Sequence, residues 1–217
     1  AAIALVAGDD SPLFPYHALI GLAITLMVVM RVAWGFTGSR YARFASFVFG
    51  PRAVAAYMNA AFRGGGARHI GHNPGSAWAI FAMLALVLAL GATGMALGRG
   101  VESVKEPHEF LAYFMVGAAV LHILGVAMHT VRHGENITAG MIHGRKEADA
   151  AAGIATPHYI VAVVFVVLSG LWAWRLVANY DAATRATSLP IVGTSIQIGE
   201  AEDDEHSERR APHDDDD

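Results

Sequence analysis

Four long apolar segments alternate with polar segments along this chain of 217 residues. Each apolar segment approaches the roughly 20 residues that a helix needs to cross the hydrocarbon of a bilayer. Proline stands at or just before the start of each segment, where its missing N–H removes no helical hydrogen bond. The pattern predicts four complete membrane-spanning helices, at residues 17–36, 76–98, 108–131 and 158–178.

A shorter apolar segment, AAIALVA, occupies residues 1–7. So few residues do not cross a bilayer as a helix, and a charged amino terminus inside hydrocarbon would be costly. We interpret this segment as the end of a first membrane span that begins upstream. The alternative is the remainder of a processed leader.

The pattern therefore predicts an all-α integral membrane protein, with a four-helix bundle whose first helix is truncated here and a fifth, carboxy-terminal membrane helix. We place the bundle domain at residues 1–146 and a linker with the last span at 147–178. Residues 179–217 end in a strongly acidic sequence, and we expect this polar tail to be disordered. The segment GPRAVAAYMNAAFRGG predicts a short helix lying on the membrane surface.

Composition supports a membrane protein and limits its chemistry. Hydrophobic residues make up 54% of the chain and charged residues 16%, and the mean hydropathy is +0.41. Without a basic surface, nucleic-acid binding is not expected. The absence of cysteine from the sequence excludes disulfides, iron–sulfur clusters, thiolate zinc sites and covalently attached haem. Histidine, which occurs eleven times, is the natural ligand that remains.

Basic residues are unevenly distributed between the connecting segments. Segments 37–75 and 132–157 are rich in arginine and lysine, whereas 8–16 has none and 99–107 balances its bases with acids. Basic loops favour the cytoplasmic side of a membrane. The sequence thus predicts a multi-pass protein of the bacterial inner membrane with the tail in the periplasm.

Two histidines in one apolar segment carry the strongest functional signal. His108 and His122 lie fourteen residues apart in EPHEFLAYFMVGAAVLHILGVAMHTVRH. This spacing places both on nearly the same helix face, about 21 Å apart along the axis. In a membrane-spanning helix one histidine then lies near each side, an arrangement suited to two redox cofactors in series.

A third histidine has a depth that matches one of this pair. His17 begins the span at 17–36 as His108 begins a later one, and both enter from the same side. Matched depth suits the two axial ligands of one haem, and such a haem transfers electrons because no coordination position stays open. Each histidine alone is equally well an interfacial residue. Arg31, fourteen residues after His17, lies near the level of His122, where it pairs with a haem propionate or extends to the interface.

Three stretches resemble a known family: HALIGLAITLMVVMRVAWGFTGSRYARFASFVFGPRAVAAYM, GHNPGSAWAIFAMLALVLALGATGM and HEFLAYFMVGAAVLHILGVAMHTVRHGENITAGMIHGRK. From His17 to Lys146 the chain resembles the prokaryotic cytochrome b561 family, which includes the b-type cytochrome subunits of nickel–iron hydrogenases. The resemblance implies a bundle holding two noncovalent b-type haems. It assigns the outer haem to His17 and His108, and the inner haem to His122 and a histidine near the start of the first span.

The fourth ligand is where this sequence departs from that pattern, because no histidine precedes His17. Either the first span supplies it upstream, or another residue replaces it, and His158 is the best substitute within the chain. His129 and His133 have the spacing of a helical metal pair, but we favour solvated interfacial histidines, with a proton-handling or quinone-facing role as the main alternative. His72 and His69 precede a span in a glycine-rich loop and are candidates for a quinone pocket or an ordinary interfacial loop.

These observations favour a di-haem membrane cytochrome b that passes electrons between the quinone pool and a redox partner outside the membrane. A c-type cytochrome or a hydrogenase fits as that partner. We expect an electron-transfer subunit of a respiratory oxidoreductase complex more than an enzyme acting alone, and an oligomer is compatible with the sequence. The competing hypothesis is a membrane transporter of protons or ions that uses its histidines as relays. A third is a metal-binding membrane anchor. The donor, the acceptor and the direction of electron flow are not determined by the sequence.

Overall fold

The computed structural model describes residues 13–65, 69–134, 137–144, 152–154 and 158–198. Helices dominate this part of the chain. They are α1 (Phe14–Thr37), α2 (Pro51–Phe62), α3 (Pro74–Leu97), α4 (Lys105–His133), α5 (Ile137–His143) and α6 (Tyr159–Ala178). Two short strands, β1 (Ala186–Ser188) and β2 (Ser195–Gln197), follow α6, and single turns of 3-10 helix lie at Phe44–Ser46 and Glu102–Val104.

Four of these helices, α1, α3, α4 and α6, are long and apolar enough to cross a membrane. They coincide with the four predicted spans, so the prediction of an all-α integral membrane bundle with a carboxy-terminal span is confirmed. Their surfaces carry many exposed large apolar side chains, as expected of helices that face lipid. Residues 1–7, interpreted as the end of a first span, lie outside the described residues.

The sequence explains where several helices begin. Pro15, Pro51 and Pro74 lie in the first turns of α1, α2 and α3, where proline is tolerated because the first N–H groups have no helical partner. Asn73 caps α3, since its side-chain oxygen accepts a hydrogen bond of 2.8 Å from the Ser76 N–H. The predicted surface helix of GPRAVAAYMNAAFRGG is α2.

Helix α3 is the centre of the packing. It packs against α1 on one side and α4 on the other, α2 contacts its beginning, and α6 lies against α1. The end of the bundle where α1 and α4 begin and α3 and α6 end is called the His17 end. The opposite end, where α1 and α4 finish, is called the Arg31 end.

The strands form an antiparallel hairpin that packs on the His17 end. Thr187 pairs with Ile196, the Thr187 hydroxyl donates to the Leu176 carbonyl at 2.9 Å, and the Gln197 N–H donates to the Gly98 carbonyl at 2.9 Å. A buried apolar cluster joins the hairpin to α1 and α6; its members are Leu19, Leu22, Leu176, Leu189, Ile196 and Ile198.

The expectation of a disordered tail is therefore wrong for residues 179–198. The physical reason is that Ile196 and Ile198 alternate with polar residues, which is the pattern of a strand with one buried face. The acidic character of the tail comes from residues 200–217, and residues 199–217 lie outside the described part of the chain.

Candidate haem-binding site

His17 and His108 come together at the His17 end. Each lies in the opening part of its helix, α1 or α4, behind a proline of the first turns. Their ring centroids are 6.3 Å apart and the ring planes are nearly perpendicular, at 83°. Both side chains are half-buried. The structure thus brings together the two histidines that the sequence placed at matching depth.

The separation of the two rings suits a metal between them. An imidazole nitrogen binds a metal such as zinc at about 2.0 Å, and the ring centroid lies about one further ångström away. Two imidazoles that bind one metal from opposite sides therefore have centroids about 6 Å apart, close to the 6.3 Å observed. Helices α1 and α4 each pack closely on α3 but not on one another.

Two residues of α3 support the His108 ring. The Thr93 hydroxyl lies 2.8 Å from Nδ1 of His108 and 2.9 Å from the Ala89 carbonyl, to which it donates. Gly94 lies beside the ring, where a Cβ atom would be in van der Waals contact with Cε1 of His108, at 3.4 Å. Thr93 was not predicted from the sequence to contact a ligand histidine. The only signal was a hydroxyl between Gly91 and Gly94 in an apolar helix, which does not reveal the packing register of α3 on α4.

Arg31 lies near the other end of α1, in apolar surroundings. Its guanidinium carbon is 5.4 Å from the ring centroid of Phe44, a cation–π distance. Within the described part of the chain, its buried Nη1 has no hydrogen-bond partner. A buried cationic nitrogen is stabilised by an anion with good hydrogen-bonding geometry. The arrangement therefore fits an anionic group, such as a carboxylate, beside Arg31.

Aromatic side chains surround this end of the bundle. Phe44, Phe47 and Phe81 contact one another, with centroid separations of 5.2 to 5.8 Å. The ring of His72, the candidate for a quinone pocket, lies 4.4 Å from that of Phe47. His69 meets the ring of Tyr57 edge-on at 5.8 Å. The loop before α3 is thus packed into the bundle by its histidine rings.

His122 and His129 share one stripe of α4 with His108. His108 and His122 are half-buried and His129 is buried, whereas neighbouring large side chains such as Leu121 and Ile123 are exposed. This agrees with the expectation that His108 and His122 leave from nearly the same face. No histidine precedes His17 in the sequence, and residues 1–12 lie outside the described part of the chain.

His158, the substitute ligand, lies elsewhere. It precedes α6, is exposed, and meets the Trp34 ring of α1 edge-on at 5.3 Å. Helix α6 packs on α1 and is not closely packed on α4. The described contacts therefore do not bring His158 together with His122.

A basic residue at the end of α4 contacts α2. The Arg132 guanidinium donates a hydrogen bond to the Ala61 carbonyl in the last turn of α2, where the carbonyl end of a helix favours a cation. Burial raises the pKa of Tyr57 above its ordinary value, and the charge of Arg132 opposes this effect. Tyr57 is accordingly a neutral hydroxyl at neutral pH.

Comparison with known proteins gives one family match. The model of the family described as prokaryotic cytochrome b561 matches residues 2–144, about two thirds of the chain. That region includes α1 to α4 and all the histidines described above except His158. No curated protein and no solved structure matches the chain.

Proposed function

The chain belongs to the prokaryotic cytochrome b561 family, and from that membership we propose that it passes electrons across a membrane through two b-type haems. Membership itself makes the protein a multi-pass membrane cytochrome b of electron transfer. The number of haems, their ligands and the redox partners are the content of the proposal. When bound, the haems supply the one-electron chemistry, while the protein supplies ligands, spacing and a low-dielectric surround.

The observation that carries the proposal is the approach of His17 to His108, with ring centroids 6.3 Å apart. We assign these residues as the axial ligands of one haem at the His17 end. Two histidine ligands fill both axial positions, so the site exchanges electrons without binding a substrate at iron. Half-burial among apolar helices limits the access of water and so limits the reorganisation that accompanies electron transfer.

His122 is the proposed ligand of the second haem. It lies on the same half-buried stripe of α4 as His108, displaced by about 21 Å along the axis. The resemblance to the cytochrome b561 family implies that its partner is a histidine of the first span. His158 is not favoured as the partner, because it lies against Trp34. Separate ligand pairs allow the two haems to have different reduction potentials.

Arg31 is the proposed partner of a haem propionate at the Arg31 end. Its buried Nη1 would donate to the carboxylate, and a charge-assisted hydrogen bond of this kind is about twice as strong as a neutral one. The same interaction explains how a cation is tolerated within a membrane-spanning segment. The neighbouring Phe44 ring holds the guanidinium in place.

The His17 end is proposed to face the periplasm and the Arg31 end the cytoplasm, because the loops at the Arg31 end hold most of the arginine and lysine outside the tail. Electrons then pass between the quinone pool and a partner outside the inner membrane, such as a c-type cytochrome or a hydrogenase. His72 and His129, both near the Arg31 end, are the proposed candidates for contact with quinone. The chain would act as a subunit of an oxidoreductase complex.

The deciding experiment is spectroscopic. The full-length protein, purified in detergent after expression with adequate haem, is expected to show the reduced α-band of low-spin b haem. About two extractable, noncovalent haems per chain would support the proposal. About one haem per chain would restrict the proposal to a single haem site. A colourless preparation would instead favour histidine-dependent proton or ion transport, which flux into proteoliposomes would measure.

A further inference from the structure

The Thr93 hydroxyl has one proton and three polar neighbours that compete for it, one of which is the Leu90 carbonyl of its own helix at 3.2 Å. The Ala89 carbonyl lies 2.9 Å away on the preceding turn, and Nδ1 of His108 lies 2.8 Å away on the facing helix. A carbonyl only accepts, whereas an imidazole nitrogen donates or accepts according to its tautomer. When the hydroxyl donates to a carbonyl of its own helix, its lone pair is left to accept a hydrogen bond from the Nδ1–H of His108.

We propose that Thr93 is a positioning residue that fixes the tautomer and orientation of the His108 ring and thereby tunes the haem at the His17 end. This inference rests on the proposed function, in which His108 is an axial ligand. With Nδ1 protonated and bonded to Thr93, the nitrogen left with a lone pair for iron is Nε2. Histidines that bind metals generally donate their other N–H to such a second partner, which sets ring orientation and ligand basicity.

Gly94 completes this support from the same helix. The open side of Gly94 faces Cε1 and Nδ1 of His108, at 3.4 and 4.0 Å from the position of a Cβ atom. One edge of the imidazole therefore lies against α3, held by a hydroxyl at one residue and accommodated by a glycine at the next. The hydrogen bond to Thr93 limits rotation of the ring, and α3 lies beside the ring at Gly94.

The hydrogen bond has a predictable effect on the reduction potential of the haem that His108 binds. An acceptor at Nδ1–H makes the imidazole a better electron donor, which stabilises oxidised iron and lowers the reduction potential of that haem. Only the difference in the strength of this hydrogen bond between oxidised and reduced iron changes the reduction equilibrium, and we expect a change of several-fold, up to about tenfold. A tenfold change corresponds to about 59 mV for a one-electron couple.

The test compares Thr93→Val, which keeps the shape but removes the hydroxyl, with Thr93→Ser, which keeps the hydroxyl. Redox titration of the optical spectrum of the purified full-length protein should show one haem shifted to higher potential in Thr93→Val, by up to tenfold in its reduction equilibrium. Thr93→Ser should restore the wild-type value. Thr37→Val is the matched control, because the Thr37 hydroxyl also donates to a carbonyl of its own helix, that of Ala33, and its side chain is exposed at the far end of α1.

Each outcome has a definite meaning. A colourless wild-type protein overturns the proposed function, whereas two haems with unchanged potentials in Thr93→Val overturn only the role of Thr93. If Thr93→Val loses one haem, its recovery in Thr93→Ser supports the role of the hydroxyl. Loss of haem in both variants overturns it in favour of a packing role, as does an equal shift in Thr37→Val.

Discussion

Gly91 of α3 lies so close to Thr25 of α1 that a Cβ atom at position 91 would overlap the threonine side chain. One turn further along α3, Gly94 faces His108 of α4. Gly91 therefore sets how closely α1 approaches α3, and through α3 it contributes to the separation of His17 from His108. A small residue serves here as a spacer of the proposed ligand pair.

Enlarging Gly91 should open this spacing. Gly91→Leu is expected to push α1 away from α3, with an overpacking cost of about 1–3 kcal/mol, and to release the haem at the His17 end. Haem content per protein and thermal unfolding in detergent measure the two effects. Gly170→Leu on α6 is the control, because a Cβ atom there meets nothing within 4 Å. Equal loss in both variants would contradict the spacer role.

Removal of single histidines should separate the two proposed haems. His108→Ala is expected to remove the haem at the His17 end and His122→Ala the other, so each variant keeps about half of the bound haem. The remaining potentials, measured by redox titration, should differ between the variants. His143→Ala is the control, because His143 is exposed at the end of α5. Loss of both haems from either variant with the fold intact would argue against separate sites.

The membrane fold and the histidine pair were predictable because each depends on short-range patterns. Apolar runs of sufficient length define the spans, and helical geometry alone puts His108 and His122 on one face. That His17 lies beside His108 followed from matched depth, which needs only the alternating direction of successive spans. The observed ring separation of 6.3 Å agrees with this expectation.

Two features depend on packing registers that the sequence does not encode locally. The bond from Thr93 to His108 requires the rotation of α3 relative to α4, and no periodicity in either helix fixes that angle. The hairpin was missed because residues 179–198 were grouped with a strongly acidic sequence. Its strands have three residues each, and their stability depends on burial of Ile196 and Ile198 against the helices.

A charge on the buried face of the hairpin formed by β1 and β2 should weaken its packing on the helices. Ile196 is 3% exposed and packs at Gly98, whereas Ile191 in the same hairpin is 99% exposed. Ile196→Asp is expected to detach residues 179–198, because an unpaired buried carboxylate is strongly unfavourable. Limited proteolysis after α6 should become faster in Ile196→Asp and stay at the wild-type rate in Ile191→Asp. Equal rates in the two variants would show that the hairpin does not dock through Ile196.

Replacing Arg31 should lower the reduction potential of the second haem, because a positive charge near its iron is lost. The guanidinium favours the less positive, reduced state of nearby iron, so Arg31→Gln is expected to lower the potential of the haem at the Arg31 end. Loss of a charge-assisted hydrogen bond, about 1.5–3 kcal/mol, also weakens retention of that haem. Redox titration and haem content measure these effects. The direction is opposite to that expected for Thr93→Val, and it concerns the other haem.

Two further variants distinguish this role of Arg31 from a general effect of membrane charge. Arg31→Lys keeps the charge but lacks the planar set of donors. In this variant the reduction potential of the haem at the Arg31 end should stay close to the wild-type value, while the haem is bound less firmly. Arg40→Gln removes an exposed cation that lies over the Tyr41 ring and should leave both potentials unchanged. If Arg31→Gln leaves haem content and both potentials at their wild-type values, Arg31 does not pair with a propionate and its cation is stabilised by Phe44 alone.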